Sequence, residues 1–147
     1  MTNKRSSTTR ATPPTRSAMM SRIRTESTAP ELAVRQLLSA RGVRYRLNDA
    51  RFPGRPDIFV PRLKLAVFVH GCFWHGHECR RGALPKTNAA FWSTKIAGNR
   101  RRDTSVSAAL ALAGISVITV WGCGLKTCGR VVRRIARAYH RATPISH

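Results

Sequence analysis

The spacing of apolar and polar positions along the chain predicts three helices and four strands. Apolar residues recur with helical periodicity in segments 30–41, 88–113 and 126–142. Short extended or nearly continuous apolar runs, which are typical of strands, cover segments 43–47, 57–60, 63–69 and 115–121. This order of elements predicts an α/β fold in which helices flank a mixed central β-sheet.

The chain length of 147 residues fits one folded domain, which we expect to cover residues 19–142. Residues 1–18 are rich in Ser, Thr, Pro and basic side chains and lack apolar periodicity, so they are predicted to form a disordered basic arm. Residues 143–147 are expected to be a short tail. Because the sequence has neither a run of about 18 apolar residues nor a signal-peptide core, we expect a cytoplasmic protein without a membrane span.

The charge balance points to a polyanionic partner. Basic residues outnumber acidic ones 27 to 6, which gives a formal charge of +21. Because phosphate contacts release condensed counterions, this charge predicts binding to nucleic acid, although a ribosomal or nucleoid protein would show the same balance. Carboxylates weaken phosphate binding, so each acidic residue is a candidate for a specific role: Glu26, Glu31, Asp49, Asp57, Glu78 and Asp103.

Residues 70–79, HGCFWHGHEC, concentrate potential metal ligands. This segment contains three of the five histidines and two of the four cysteines. Cysteines in a cytoplasmic chain favour metal binding over disulfides. Cys72, His77 and Cys79 therefore predict three donors of a tetrahedral, structural Zn²⁺ site.

The fourth zinc ligand must come from another segment. Cys123 is the preferred candidate, because it follows the strand predicted to end at Trp121, whereas Cys128 is a rival that lies in the last helix. The spacing also allows His75 to replace His77 as the imidazole ligand.

Asp57 and His70 form a second candidate site. Asp57 opens one predicted strand and His70 closes the next, so antiparallel pairing would bring both residues to one edge of the sheet. A carboxylate there can bind Mg²⁺, and a neutral imidazole can accept a proton from water. Glu31 lies in the first predicted helix, where its simplest role is an interaction with the helix dipole or an ion pair with Arg35.

Four segments resemble the very-short-patch mismatch repair endonucleases. They are FPGRPDIFV, VFVHGCFWHGHEC, FWSTKIAGNRRRD and VITVWGC, at residues 52–60, 67–79, 91–103 and 117–123. The resemblance spans about residues 16–125, and the order of the segments is that of the family. It implies a restriction-endonuclease-like fold and an enzyme that nicks one DNA strand beside a T:G mismatch, which arises when 5-methylcytosine deaminates.

The resemblance also implies catalytic roles. Asp57 would be the main Mg²⁺ ligand, with the backbone carbonyl of Val69 as a second contact. His70 and His75 would help to activate water and act on the leaving group or the phosphate. Glu31 would support the network of metal and water.

Two further sets of residues follow from the resemblance. The structural zinc ligands would be Cys72, His77, Cys79 and Cys123, which favours His77 over His75. In the second set, aromatic side chains wedge into the duplex and neighbouring side chains reach the mismatched pair. These DNA-binding residues are Met20, Phe73, Trp74, Trp92, Lys95 and Asn99.

The leading hypothesis is therefore a Mg²⁺-dependent, zinc-stabilised endonuclease that acts as a monomer on double-stranded DNA with a T:G mismatch. Mismatch-repair proteins are candidate partners, and the bacterial nucleoid is the expected location. The alternatives are a non-catalytic zinc-containing DNA-binding protein and a restriction-type endonuclease with another target. The N-terminal arm and the basic helix beyond Leu125 lie outside the resemblance.

Overall fold

The computed structural model describes Thr15, Ser17 and residues 29–142, apart from the side chains of residues 125–127. Most of the predicted basic arm, the tail and the predicted DNA contact at Met20 lie outside the described residues. The domain limits therefore stay predictions.

Three helices and four strands make up the regular structure of the described residues. In chain order, strands β1 to β4 are Arg46–Leu47, Ile58–Val60, Leu65–His70 and Ser116–Trp121. Helices α1 to α3 are Ala29–Ala40, Ala89–Leu112 and Leu125–Arg141. The predicted α/β class with flanking helices is confirmed. Among the described helices, none is long and apolar enough to cross a membrane.

Two strands begin two or three residues later than predicted, each for a local reason. The Val43 amide donates to the carbonyl oxygen of Leu38 at 3.1 Å, so the end of α1 uses this amide and β1 starts only at Arg46. A 3₁₀ turn at Pro61–Leu63 precedes β3, and Lys64 ends this turn with a left-handed φ of 48°. Both corrections reflect backbone hydrogen bonds of turns that apolar spacing does not reveal.

The sheet is mixed, as predicted, with the order β1-β2-β3-β4. β2 pairs antiparallel with β1 and with β3, whereas β4 pairs parallel with β3. His70, the last residue of β3, lies opposite Trp121, the last residue of β4. Chain segments that follow β3 and β4 therefore leave from one edge of the sheet, where Asp57 also precedes β2.

The two faces of the sheet are covered by different helices. Because side chains alternate along each strand, neighbouring residues of a strand point to different helices. Val67 and Val120 point to the face covered by α1 and α3. Phe59 and Phe68 point to the opposite face, which α2 covers with the fully buried Leu110. A residue's position in β3 thus decides which helix layer it meets.

We predict that Gly54→Ala destabilises the fold near the site. Gly54 has a φ of +75°, and a Cβ there would lie 2.5 Å from Cγ1 of Val106 in α2. Backbone strain and overpacking should lower the free energy of unfolding by about 1–3 kcal/mol, measured by urea denaturation.

Gly129→Ala in α3 is the matched control for this change. An added Cβ there meets no atom within 4 Å, and Ala is the better helix former. Equal losses of stability in the two variants would contradict the close packing of Gly54 against α2.

Candidate active site and metal-ligand cluster

A cleft of about 790 Å³ opens where the ends of β3 and β4 meet α2. Asp57, His70 and His75 line this cleft, so the structure brings together three residues predicted to be catalytic. Cationic side chains also line it: Arg55, Arg100 and Arg102. Carboxylate, imidazole and guanidinium groups thus face one volume, a combination that suits a phosphate ester.

Asp57 is tied to the end of the neighbouring strand. Its Oδ2 accepts a hydrogen bond from the backbone N–H of Val69 at 2.7 Å. Burial raises the pKa of Asp57 from 3.8 to about 6, while the Val69 hydrogen bond opposes this shift and nearby Glu31 adds to it. The predicted antiparallel pairing that places Asp57 beside the end of β3 is confirmed.

Two histidines and an aspartate form the second part of the cleft. The rings of His70 and His75 stack with centroids 3.7 Å apart. Nδ1 of His75 lies 2.5 Å from Oδ2 of Asp103, and Nε2 of His70 lies 4.0 Å from Oδ1 of the same carboxylate. Burial, followed by the charge of His75, lowers the pKa of His70 from 6.5 to about 4. His70 is therefore a neutral proton acceptor near pH 7.

Asp103 is the site residue that the sequence analysis did not place. It lies in α2, and its partner His75 is 28 positions earlier in the chain. One signal was present: Asp103 is one of only six acidic residues and directly follows three arginines. The donor atoms of His70, His75 and Asp103 lie within 4.8 Å of one another, so they could also hold a metal ion.

Glu31 supports the site from the other side of the sheet edge. It is only 3% exposed, and it forms the predicted ion pair with Arg35 one helical turn later. Its negative charge reaches Asp57, whose pKa it raises. Glu31 thus increases the negative charge near Asp57, which favours a cation there.

The four predicted zinc ligands converge into one cluster. Donor atoms within 4.8 Å of one another are supplied by Cys72, His77, Cys79 and Cys123. The backbone N–H of Cys123 donates to Sγ of Cys72 at 3.3 Å, and Sγ of Cys123 lies 3.5 Å from Nδ1 of His77. Three thiols and one imidazole fit the tetrahedral donor set of a structural zinc site.

The rival ligands lie elsewhere. Cys128 is 2% exposed and packs in the apolar core between α3 and the sheet. His75 belongs to the cleft, where it contacts Asp103. Within the described residues, the geometry therefore agrees with Cys123 and His77 as members of the cluster.

The thiols differ in acidity. A hydrogen bond with His77 lowers the pKa of Cys79 from 9.0 to about 6, whereas burial raises the pKa of Cys72 to about 11. Deprotonated thiolates are the metal-binding form. Cys79 is therefore ready to bind a cation at neutral pH, and Cys72 requires the cation itself to favour its thiolate.

Trp121 lies between the cleft and the cysteine cluster. Its ring stacks on His77 with centroids 4.3 Å apart and meets the ring of His70 edge-on at 5.3 Å. Trp121, at the end of β4, thus contacts one histidine of the cleft and one histidine of the cysteine cluster. A shift of the cluster would be transmitted to the cleft through this contact.

Predicted DNA-binding aromatics form a separate apolar cluster. Phe73 and Trp92 are 4% and 3% exposed and pack with Ile96, while Trp74 is half-buried against them. Nε1 of Trp92 donates to Oγ of Ser17 at 2.7 Å. The aromatic residues are therefore together, but two of them are enclosed in this conformation.

Lys95 and Asn99 of α2 extend this cluster. Nζ of Lys95 lies 5.4 Å from the ring centroid of Trp74, and Nδ2 of Asn99 donates to the Trp74 carbonyl oxygen at 2.9 Å. The predicted alignment of these two residues with Trp92 on one side of a helix agrees with these contacts. Phe91, which was not assigned to DNA binding, is the most exposed aromatic nearby at 58%.

Fold and site define a class: an α/β protein with an acid–histidine cleft, cationic cleft walls and an adjacent Cys₃His cluster. Side chains of these kinds around one cleft are typical of nucleases. A family model described as DNA mismatch endonuclease Vsr matches residues 8–81. The chain belongs to the Vsr family and is a DNA endonuclease, which confirms the resemblance found in the sequence.

Individual relatives agree with this assignment. Type II nicking enzyme V.XorIIP of Xanthomonas oryzae pv. oryzae is 48% identical over 128 residues, which cover 87% of this chain and 94% of the relative. Type II nicking enzyme V.NmeAIP of Neisseria meningitidis is 44% identical, over 83% of this chain and 89% of the relative. DNA mismatch endonuclease Vsr of Escherichia coli K12 is 41% identical, over 76% of this chain and 72% of the relative.

We predict that Gly82→Ala weakens metal binding by the cysteine cluster. A Cβ at Gly82 would lie 1.9 Å from the carbonyl oxygen of His77, so the loop that carries His77 and Cys79 would have to open. Titration with Co²⁺, followed by its thiolate absorption bands, should show a weaker complex.

Gly98→Ala is the control, because its nearest neighbour atom is a side-chain nitrogen of Arg101 at 3.9 Å. It should bind Co²⁺ like the unaltered chain. Tight binding by the Gly82 variant would contradict the close approach of the two loop segments.

Proposed function

We propose that this endonuclease nicks one strand of duplex DNA at T:G mismatches that arise from deamination of 5-methylcytosine. The observation that carries the proposal is the convergence of Asp57, His70 and His75 in one cleft. The name of the Escherichia coli relative, DNA mismatch endonuclease Vsr, supports the choice of substrate. A restriction-endonuclease-like fold is part of the proposal.

The cleft residues divide the proposed reaction among them. Asp57 and the backbone carbonyl of Val69 would hold Mg²⁺, which supplies charge neutralisation and an acidified water molecule when it is bound. His70 would accept a proton as base: its pKa of about 4 keeps the ring neutral at pH 7, although it also makes the ring a weaker base than a free imidazole. His75 is oriented by the Asp103 carboxylate and would serve the leaving oxygen.

The charged residues around this centre have positioning roles in the proposal. Glu31 increases the negative charge around Asp57 and so favours a divalent cation there. The guanidinium groups in the cleft hold the phosphates on either side of the scissile bond: Arg55, Arg100 and Arg102. Both effects favour a phosphodiester over a neutral substrate.

We propose that the Cys₃His cluster holds Zn²⁺ in a structural role. All four tetrahedral positions would be filled by protein donors, which leaves none for a substrate. Cys72 and His77 flank His75 in the chain, so a metal there fixes the segment that presents His75 to the cleft. The zinc would thus act on the reaction through position alone.

Mismatch recognition is assigned to the aromatic cluster. Trp74 is its half-buried member, so it would enter the duplex first, with Phe73 and Trp92 behind it. Stacking on a base contributes about 1–3 kcal/mol, and a mismatched step costs less to open than a paired one. Lys95 and Asn99, which already contact Trp74, would reach the mismatched pair.

The remaining parts of the proposal concern context. The chain would act as a monomer in the cytoplasm, on the bacterial nucleoid. Mismatch-repair proteins are proposed as partners, and Met20 as an additional contact at the wedge. The DNA substrate itself follows from the family.

Cleavage of matched duplexes tests the function. Duplexes that carry T:G, T:A or C:G at one position, with randomised flanking bases and separately labelled strands, are incubated with Mg²⁺ and the breaks are mapped. We expect one strand to be cut beside T:G, and Asp57→Ala to bind DNA without cutting it. Equal cutting of all three duplexes would indicate a restriction-type enzyme. If the unaltered chain binds the duplexes and cuts none of them, it would be a non-catalytic DNA-binding protein.

We predict that Trp74→Ala reduces discrimination between T:G and T:A duplexes. Loss of one stacked base should lower the ratio of the two binding constants by about tenfold or more, measured by competition binding without Mg²⁺. Trp74→Phe keeps an aromatic ring and should retain part of the ratio. Unaltered discrimination by the Ala variant would exclude Trp74 from the wedge.

A further inference from the structure

The outer side of α3 carries a stripe of arginines that the proposed reaction does not use. Its members are exposed, and each lies three or four positions from another member: Arg130, Arg133, Arg134, Arg137 and Arg141. Because successive helical residues are rotated by about 100°, all five fall within an arc of about 100° and extend over about 16 Å. We call this surface the arginine stripe.

The opposite side of α3 anchors the stripe firmly. Val132, Ile135 and Tyr139 are 0%, 3% and 5% exposed and belong to the main apolar core. The helix therefore cannot rotate to hide its arginines without exposing core residues. The orientation of the stripe is fixed by burial on its inner side.

No acidic side chain of the described residues forms an ion pair with the stripe. Glu31 pairs with Arg35, Asp49 with Arg51, and Asp103 with the cleft histidines. Like charges three and four positions apart on a helix repel one another. The stripe therefore presents uncompensated positive charge to a partner from outside the described residues.

The arginine stripe and the cleft lie on opposite faces of the sheet. Phe68 and His70 of β3 point to the cleft, on the face covered by α2. Val67, between them, points to the core shared with α3. The sheet and the full width of α3, about 10–12 Å for a helix, thus separate the stripe from the cleft.

A duplex bound in the cleft cannot also follow the stripe as a straight rod. DNA has a persistence length of about 150 base pairs, so a short duplex does not bend around a domain of this size without a large cost. A polyanion that binds the stripe would therefore be separate from the duplex in the cleft. Duplex DNA fits best, because it carries one negative charge for about every 1.7 Å of its axis. A DNA segment as long as the stripe therefore offers several phosphates to the five arginines.

We propose that the arginine stripe binds the phosphate backbone of a second DNA segment, so that one chain bridges two duplexes. The contact is independent of sequence, since guanidinium groups on a helix surface meet phosphates and not base edges. The proposal needs only DNA binding in the cleft. It does not depend on mismatch recognition or on strand cleavage, and it can fail or succeed separately from them.

Bridging is measured with the full chain, fully paired duplexes and no added Mg²⁺. Two populations of a short duplex, labelled with donor or acceptor dye, are mixed with substoichiometric protein. We expect energy transfer, and mass measurement should show complexes of one chain with two duplexes. Absence of such complexes would overturn the proposal.

A pair of variants assigns the bridge to the stripe. Arg133→Gln with Arg137→Gln should abolish energy transfer, while binding of the first duplex persists. The control is Arg44→Gln with Arg46→Gln, which removes the same charge from exposed positions at and beside β1 and should leave bridging intact. Equal effects of the two double variants would reject the stripe in favour of net charge alone.

Salt dependence gives a second readout. Each lost phosphate contact lowers the slope of log K against log salt by about 0.9, so the stripe variant should lose about 1.8 from the slope of the second binding step. Arg133→Lys with Arg137→Lys keeps both charges and should retain bridging. An unchanged slope in the Gln variant would mean that the stripe serves another partner, such as an acidic protein, and would overturn the proposal.

Discussion

The parallel pairing of β3 with β4 is the constraint on which the site depends. The register sets His70 opposite Trp121, so the two strands end at the same level. Cys72 and Cys123 each follow two residues later, and the backbone N–H of Cys123 donates to Sγ of Cys72. A slip by one residue would turn His70 to the other face of the sheet and separate these cysteines.

This register makes the cleft and the cysteine cluster mechanically dependent on each other. His75 lies between Cys72 and His77 in the chain, yet its side chain contacts Asp103 in the cleft. The cluster and the cleft therefore share one short chain segment, which presents His75 to Asp103. Trp121, which contacts the rings of both His70 and His77, adds a second connection that does not run through the backbone. A metal ion bound by the cysteine cluster would thus influence the geometry of the cleft.

Apolar periodicity predicted the layer architecture but not every strand boundary. Repeating apolar positions indicate helices and buried strands. The late starts of β1 and β3 instead depend on backbone hydrogen bonds, at a helix end for β1 and in a 3₁₀ turn for β3. Cys128 could have been excluded as a zinc ligand from sequence, because it shares helical spacing with Val132, Ile135 and Tyr139. Its burial in their core confirms that spacing.

Asp103 could not be placed in this way. Its contact with His75 joins α2 to a loop 28 residues earlier, and no local pattern encodes such a distance. The predicted strand ends placed Asp57 and His70, and the family resemblance added His75 through a motif that is compact in sequence. Long-range contacts between a helix and a loop become visible only once the sheet register is known.

The distribution of charge shows why a basic chain keeps carboxylates at one edge. Asp57, Glu78 and Asp103 line the cleft, where each would oppose a phosphate, and the charge of Glu31 reaches Asp57. Burial raises the pKa of Asp57 to about 6, so its charged form is disfavoured there without a cation. A divalent cation would reverse that preference, while the arginines of the cleft walls would attract phosphates. In the proposed reaction, a divalent cation held at Asp57 would therefore reduce the opposition of these acids to phosphate binding.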